Sequence, residues 1–178
     1  AARYLLGLGA RVTINDQRTD DTIQSNLESI KQKFGSDRLH IVLGQGHPLE
    51  LLDGIDLVCV SGGIPLTIPL VVDAVRRGIP LTNDTQLLME AVPCKVIGIT
   101  GSAGKTTTTT LVGRMITAWV SMPGCPYRNA WVGGNIGNPL IEQVGEMHPD
   151  DLVILEMSSF QLDLMTTSPN ISAVLNIT

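Results

Sequence analysis

Aromatic residues are scarce: two Trp, two Tyr and two Phe make up 3% of the 178 residues. The core must therefore be aliphatic, drawn from a hydrophobic content of 43%, which is the composition of buried parallel α/β sheets. Cationic excess is missing too. Twelve Lys and Arg against seventeen Asp and Glu leave a net charge of −5, which argues against a general nucleic-acid binder. The three cysteines, Cys59, Cys94 and Cys125, have no metal-ligand spacing. Cys59 and Cys94 lie in or beside apolar runs and read as buried thiols. An odd, unpatterned count fits a reducing cytoplasm. The histidines, His40, His47 and His148, flank loops without ligand spacing and read as surface residues. No apolar run approaches the ~18 residues of a membrane span, and no signal peptide is visible.

What is present is a regular alternation of strand and helix. The length suits one large domain or two small ones. A helix end over Ala1–Leu8 closes at Gly9, and Val12–Ile14 forms a strand running into Asn15-Asp16-Gln17-Arg18. Thr22–Phe34 is an amphipathic helix whose apolar face is Ile23, Leu27, Ile30 and Phe34, at the spacing of successive turns. Strands follow at Leu39–Leu43 and Asp56–Val60, a helix at Leu70–Arg77, a short strand at Ile79–Thr82 and a short helix at Thr85–Ala91. Beyond Pro93 come a strand at Val96–Thr100, a helix to about Val120, a brief strand at Trp131-Val132 and a helix beginning over Pro139–Val144. Two last strands cover Leu152–Leu155 and Ile171–Leu175. The expected fold class is α/β with a mainly parallel sheet. Residues 1–93 would be a Rossmann-like unit without its first strand, and residues 94–178 a partial P-loop-type mononucleotide-binding domain. Both ends read as cut, so a longer natural chain is expected.

Lys95–Thr110, KVIGITGSAGKTTTTT, holds the densest chemical signal. A strand turns through Gly101-Ser102-Ala103-Gly104 into a helix at Lys105-Thr106-Thr107. Glycines let backbone N–H groups approach an anion, and the helix N-terminus adds about half a positive charge. Lys105 can reach outer phosphates, and the Thr106 hydroxyl can ligate Mg²⁺. The loop is the short form, because Ile99 stands where a general Walker A loop has its first glycine. The five threonines Thr106–Thr110 give only modest helix propensity, so packing must hold that turn.

Glu156 ends an apolar strand, where ligands bind in open α/β sheets. A carboxylate there can hold Mg²⁺ directly or through water, or it can be a solvated strand-end acid. Asn135, in GGNIG, can orient a phosphate or sugar, or shape a turn. Asp16 resembles the acid that accepts a ribose hydroxyl in dinucleotide folds, and Arg18 can face a phosphate. A turn-forming Asp and a solvated Arg read equally well.

Four blocks together resemble the Mur ligase family. They are Asp16-Gln17-Arg18 after a strand; Ser61-Gly62-Gly63-Ile64-Pro65; Gly98 to Thr107; and Gly133-Gly134-Asn135-Ile136-Gly137 followed by Glu156 to Leu162. The closing Val174–Thr178 fits the family's strand before its Asp-His motif. Ser158-Ser159-Phe160-Gln161-Leu162 with the Asn135 block narrows the resemblance to the member that adds D-glutamate to UDP-N-acetylmuramoyl-L-alanine. The resemblance implies a cytoplasmic, ATP-dependent and magnesium-dependent ligase of peptidoglycan precursor synthesis, monomeric when full length. It would activate a carboxylate as an acyl phosphate. By the same resemblance, Gly101, Ser102, Ala103, Gly104, Lys105, Thr106 and Thr107 hold ATP. Lys105 and Glu156 serve the chemistry, and Thr106 and Glu156 hold magnesium. Asp16, Gln17, Arg18, Gly63 and Asn135 contact the UDP-sugar, and Ser158, Ser159 and Gln161 shape the reaction centre. The family has Thr-Asn where this chain has Ser102-Ala103, so one side-chain amide is lost. The chain stops before the family's metal-binding histidine, its modified lysine and its amino-acid-binding domain, so turnover by these residues alone is not expected. Other readings are a different Mur ligase or a folylpolyglutamate synthase, a non-catalytic nucleotide-binding module, and a dehydrogenase-type domain. The lysine–threonine loop argues against the last.

Overall fold

The structure is a computed structural model that describes residues 1–135 and 139–178. Ile136 and Gly137 of the Asn135 block lie outside the described residues. Contacts divide the chain into two units, Ala1–Cys59 with Ile64–Leu81, and Val60–Gly63 with Thr82–Thr178.

The first unit opens with α1 (Ala2–Gly7), β1 (Val12–Asp16), α2 (Asp21–Phe34) and β2 (Leu39–Leu43). Asp20 caps α2 by accepting from the Ile23 N–H at 3.1 Å, and Gly35 ends it at a φ of 75°. β1 and β2 pair in parallel, Val12 opposite Leu39 through Asp16 opposite Leu43. Leu27 and Ile30 of α2 are buried with Leu6, and Ile23 and Phe34 pack against them with side chains of both strands. The apolar face read from the spacing is therefore the face that meets the core. Two short strands follow, β3 (Val58–Cys59) and β4 (Leu81–Thr82), separated by α3 (Pro69–Arg76). β3 is shorter than the expected Asp56–Val60, because β4, its neighbour in the sheet, offers only two residues.

The second unit holds α4 (Asp84–Ala91), β5 (Lys95–Thr100), α5 (Lys105–Val120), β6 (Ala130–Gly134), β7 (Leu152–Glu156), α6 (Ser159–Leu162) and β8 (Ile171–Val174). Its four strands lie in the order β6-β7-β5-β8, all parallel. All five residues of β7 are buried. That explains a strand that reads as a continuous apolar run rather than an alternation. Ile99, Leu152 and Ile154 anchor a core onto which Val112 and Ile116 of α5 pack. Gly98 is needed for the layer behind β5, since a Cβ there would stand 2.4 Å from the Met157 methyl and 2.5 Å from Pro169.

Several sequence expectations change. The helix expected from Pro139 is two separate 3₁₀ turns, Leu140–Glu142 and Val144–Glu146. Gly145 stands inside the second, and glycine in a helix interior weakens it. A 3₁₀ turn at Leu49–Leu52 and the one-turn α6 were not foreseen. Cys59 and Cys94 are half-buried rather than buried, each at the end of a strand or just before one. Burial still pushes the Cys94 thiol up. The sequence reading divided the chain at Pro93; by contacts, Thr82–Pro93 groups with the second unit.

Candidate active site

β5 delivers the chain into the glycine loop at the carboxyl edge of the parallel sheet. Gly101 and Gly104 have φ values of 144° and 82°, a region that favours glycine. Gly104 is the N-cap of α5, and the first helical bond runs from the Thr108 N–H to the Gly104 carbonyl at 2.9 Å. The N–H groups of Lys105, Thr106 and Thr107 precede that bond and have no intrahelical acceptor. Ser102, Ala103, Gly104, Thr106 and Thr107 are exposed and Lys105 is half-buried. The Lys105 ammonium donates to the Gly101 carbonyl at 2.8 Å and the Ser102 carbonyl at 3.5 Å. The cation is thus held against the loop from which it would reach a phosphate.

Glu156 closes β7 beside Ile99 of β5, so its strand position is adjacent to the strand that feeds the loop. Its side chain is 1% exposed. Oε1 accepts from Asn135 Nδ2 at 3.2 Å, while Oε2 has no hydrogen-bond partner among the described residues. A buried carboxylate with an unpaired oxygen is costly unless a cation or proton joins it. The end of β6 clasps it: the Asn135 N–H donates to the Glu156 carbonyl at 2.9 Å. Gly134, with φ of 108°, approaches so closely that a Cβ would stand 2.2 Å from that carbonyl oxygen. Thr109, one turn into α5, is fully buried and its hydroxyl also lacks a partner among the described residues. Among these residues no group of three or more His, Cys, Asp or Glu could hold a metal. An ion on Glu156 would need other oxygens, such as phosphate, water and the exposed Thr106 hydroxyl, which is the ligand chemistry of Mg²⁺. The residues present therefore fit that ion.

The other predicted residues fall into separate groups. In the first unit, Asp16 is gripped by Arg18 through Nε at 3.1 Å, Nη2 at 2.8 Å and the Arg18 backbone N–H at 2.9 Å. The guanidinium and that N–H hold the Asp16 carboxyl below its ordinary value. Gln17 lies 3.1 Å from His47 Nε2. Asn15 Nδ2 donates to the Val42 and Gly46 carbonyls at 3.1 and 2.9 Å. The Asn15 oxygen therefore accepts from His47 Nδ1, which leaves His47 Nε2 to accept from Gln17. His47 is a half-buried network residue rather than the surface residue expected. In the second unit, Gly63 has φ of 91° and open space around it. Ser158 and Gln161 form a capping box on α6: the Gln161 N–H donates to Ser158 Oγ at 3.3 Å and the Ser158 N–H to Gln161 Oε1 at 2.9 Å. Ser159 is the first residue of that helix. Sequence reasoning missed Gly134 as a packing glycine and Asn176 as a neighbour of the loop. An asparagine after a strand reads as a turn residue, so composition carried no signal for it.

Residues 99–178 match the Mur ligase middle domain. The UDP-N-acetylmuramoylalanine–D-glutamate ligase of Symbiobacterium thermophilum is 39% identical over 98% of this chain and 36% of its own length. Those of Pelotomaculum thermopropionicum and Clostridium botulinum are 39% and 40% identical, over 99% and 98% of this chain and 36% of theirs. The chain spans about 36% of the length of these curated relatives. Among solved structures, a murein peptide ligase from Psychrobacter arcticus aligns with 99% of this chain and 40% of its own, at a TM-score of 0.53 and 20% identity, a likeness of fold alone. Residues 99–178 are thus similar to the Mur ligase middle domain, and nearly the whole chain is similar to part of these D-glutamate ligases.

Proposed function

We propose that Gly101 to Thr107 hold the phosphates of ATP, in an enzyme that joins D-glutamate to UDP-N-acetylmuramoyl-L-alanine in the cytoplasm. The curated relatives' names supply the substrates. The observation that carries the reading is the pairing of two strand ends: a glycine loop with a lysine on β5, and on its neighbour β7 a buried carboxylate with one oxygen unpaired among the described residues.

In this reading the N–H groups at the start of α5 and the Lys105 ammonium neutralise the triphosphate. Lys105 gives up its contact with the Gly101 carbonyl to do so. Glu156 and the Thr106 hydroxyl would hold magnesium, which when bound supplies positive charge against the transferring phosphoryl group. Asn135 fixes the Glu156 carboxylate and offers its remaining amide hydrogen to the sugar nucleotide. Asp16, Gln17, Arg18 and Gly63 contact that nucleotide. Ser158, Ser159 and Gln161 shape the place of reaction. The substrate carboxylate attacks the terminal phosphorus of ATP and ADP leaves. The amine of D-glutamate then attacks the acyl carbon, and inorganic phosphate leaves as the amide forms. The residues act mainly by holding charge and position.

Calorimetric titration of the chain with MgATP tests the nucleotide site. Binding is expected, and Lys105→Ala should weaken it at least about tenfold, the scale of one lost charge-assisted contact. UDP-N-acetylmuramoyl-L-alanine should raise the melting temperature. Absence of any heat with MgATP would overturn the assignment.

A further inference from the structure

We infer that Asn176 is a positioning residue that selects which backbone N–H groups of the glycine loop face the nucleotide; the inference rests on the phosphate-loop reading above. β8 runs beside β5, and the Leu175 N–H to Thr100 carbonyl bond at 3.0 Å adds one rung beyond its end. Asn176 then continues along the loop itself. Its carbonyl accepts from the Ser102 N–H at 3.0 Å. Its side-chain Oδ1 accepts from the Ala103 N–H at 2.8 Å, and its Nδ2 donates to the Ala103 carbonyl at 3.0 Å. The carboxamide therefore closes a ring of two hydrogen bonds on one residue, as an opposing strand would. A Cβ at Gly101 would stand 3.2 Å from both the N and the O of Asn176, so glycine is what permits this closeness.

The consequence is a division of labour among the loop amides. Those of Ser102 and Ala103 are spent on Asn176. Those of Lys105, Thr106 and Thr107 precede the first bond of α5 and are left for an anion. The turn between the two sets is Gly104, at φ of 82°. Ser102 keeps a hydroxyl hydrogen to give, because its oxygen already accepts from the Thr178 N–H at 3.0 Å. Without the carboxamide, a short loop containing two glycines would sample many conformations, and binding would have to supply the ordering. Asn176 shapes the loop through the Ala103 backbone, so the loop keeps its form although residue 103 has no polar side chain.

Asn176 is exposed, so removing its side chain opens no core cavity, and a change in binding can be separated from a change in folding. MgATP titration of the chain, Asn176→Ala, Asn176→Asp and Lys105→Ala would be combined with amide exchange at Ala103 and thermal melts. Asn176→Ala should bind about tenfold more weakly, the sum of two ordinary hydrogen bonds. Its Ala103 amide should exchange faster while the β7 amides and the melting temperature hold. Asn176→Asp keeps the acceptor and should restore slow exchange at Ala103. If Lys105→Ala weakens binding but Asn176→Ala binds as the parent chain does, the inference fails and the nucleotide site stands. If Asn176→Ala loosens the β7 amides as well, the role is structural and the inference fails. If the parent chain binds no nucleotide, the phosphate-loop reading fails first and this inference falls with it.

Discussion

Asp151 carries the firmest electrostatic argument in the chain. Its side chain is fully buried and accepts from Arg128 Nε at 3.0 Å, Arg128 Nη2 at 3.2 Å, Trp131 Nε1 at 2.9 Å and the His148 N–H at 2.9 Å. The Arg128 hydrogen bonds, opposed by burial and aided by Trp131 and His148, lower its carboxyl to about 2. The folded value lies below the ordinary one, so the anion stabilises the fold above pH ~4 and that stability is lost as pH falls from ~4 to ~2. Arg128 is 56% exposed, so solvent screens its charge. Asp151→Asn should cost on the order of 2 kcal/mol at neutral pH and flatten the acid limb of stability, read by urea melts from pH 2 to 7. An unchanged acid limb would remove Asp151 from the account. None of its partners was foreseen. A charged residue before a strand reads as solvated, and only the folded loop brings Arg128 to it.

α5 shows how packing overrides propensity. Gly113 lies in the helix interior, where alanine is ordinarily better by about 1 kcal/mol. Here a Cβ at Gly113 would stand 2.7 Å from one methyl of Val132 and 3.1 Å from the other, and a β-branched side chain has little rotational freedom to withdraw. Gly113→Ala should therefore destabilise by on the order of 1 kcal/mol. Adding Val132→Ala should recover most of that loss, a non-additivity that a double-mutant cycle would measure. A stabilised single variant would show that β6 yields more readily than this geometry implies. The α5 limits, Lys105–Val120, were legible because a glycine turn opens the helix and a proline-containing loop follows it. The segment after Pro139 was not legible, since short apolar stretches suit 3₁₀ turns and helices alike. The strand at Leu39–Leu43 was read with its observed ends, whereas β3 was overextended because pairing, not composition, sets its length.

The two units differ in how deeply their strands are buried. Every residue of β7 is buried between β6 and β5, while β1 and β2 form a two-stranded sheet with no fully buried residue in β1. Amide exchange should therefore be slowest in β7 and β5 and clearly faster in β1 and β2; equal protection throughout would contradict the picture. No helix among the described residues is long and apolar enough to cross a membrane. The residues alone determined the alternation of strands and helices, the place of the glycine loop and the acid at the end of β7. These are local signals, written in periodicity, glycine placement and the end of an apolar run. Only the tertiary structure decided that Glu156 keeps one oxygen unpaired among the described residues, that Asn135 holds the other, and that Asn176 closes on Ala103 from 73 residues away. Those contacts join residues distant in the chain, and their existence depends on the parallel order of strands that no single segment encodes.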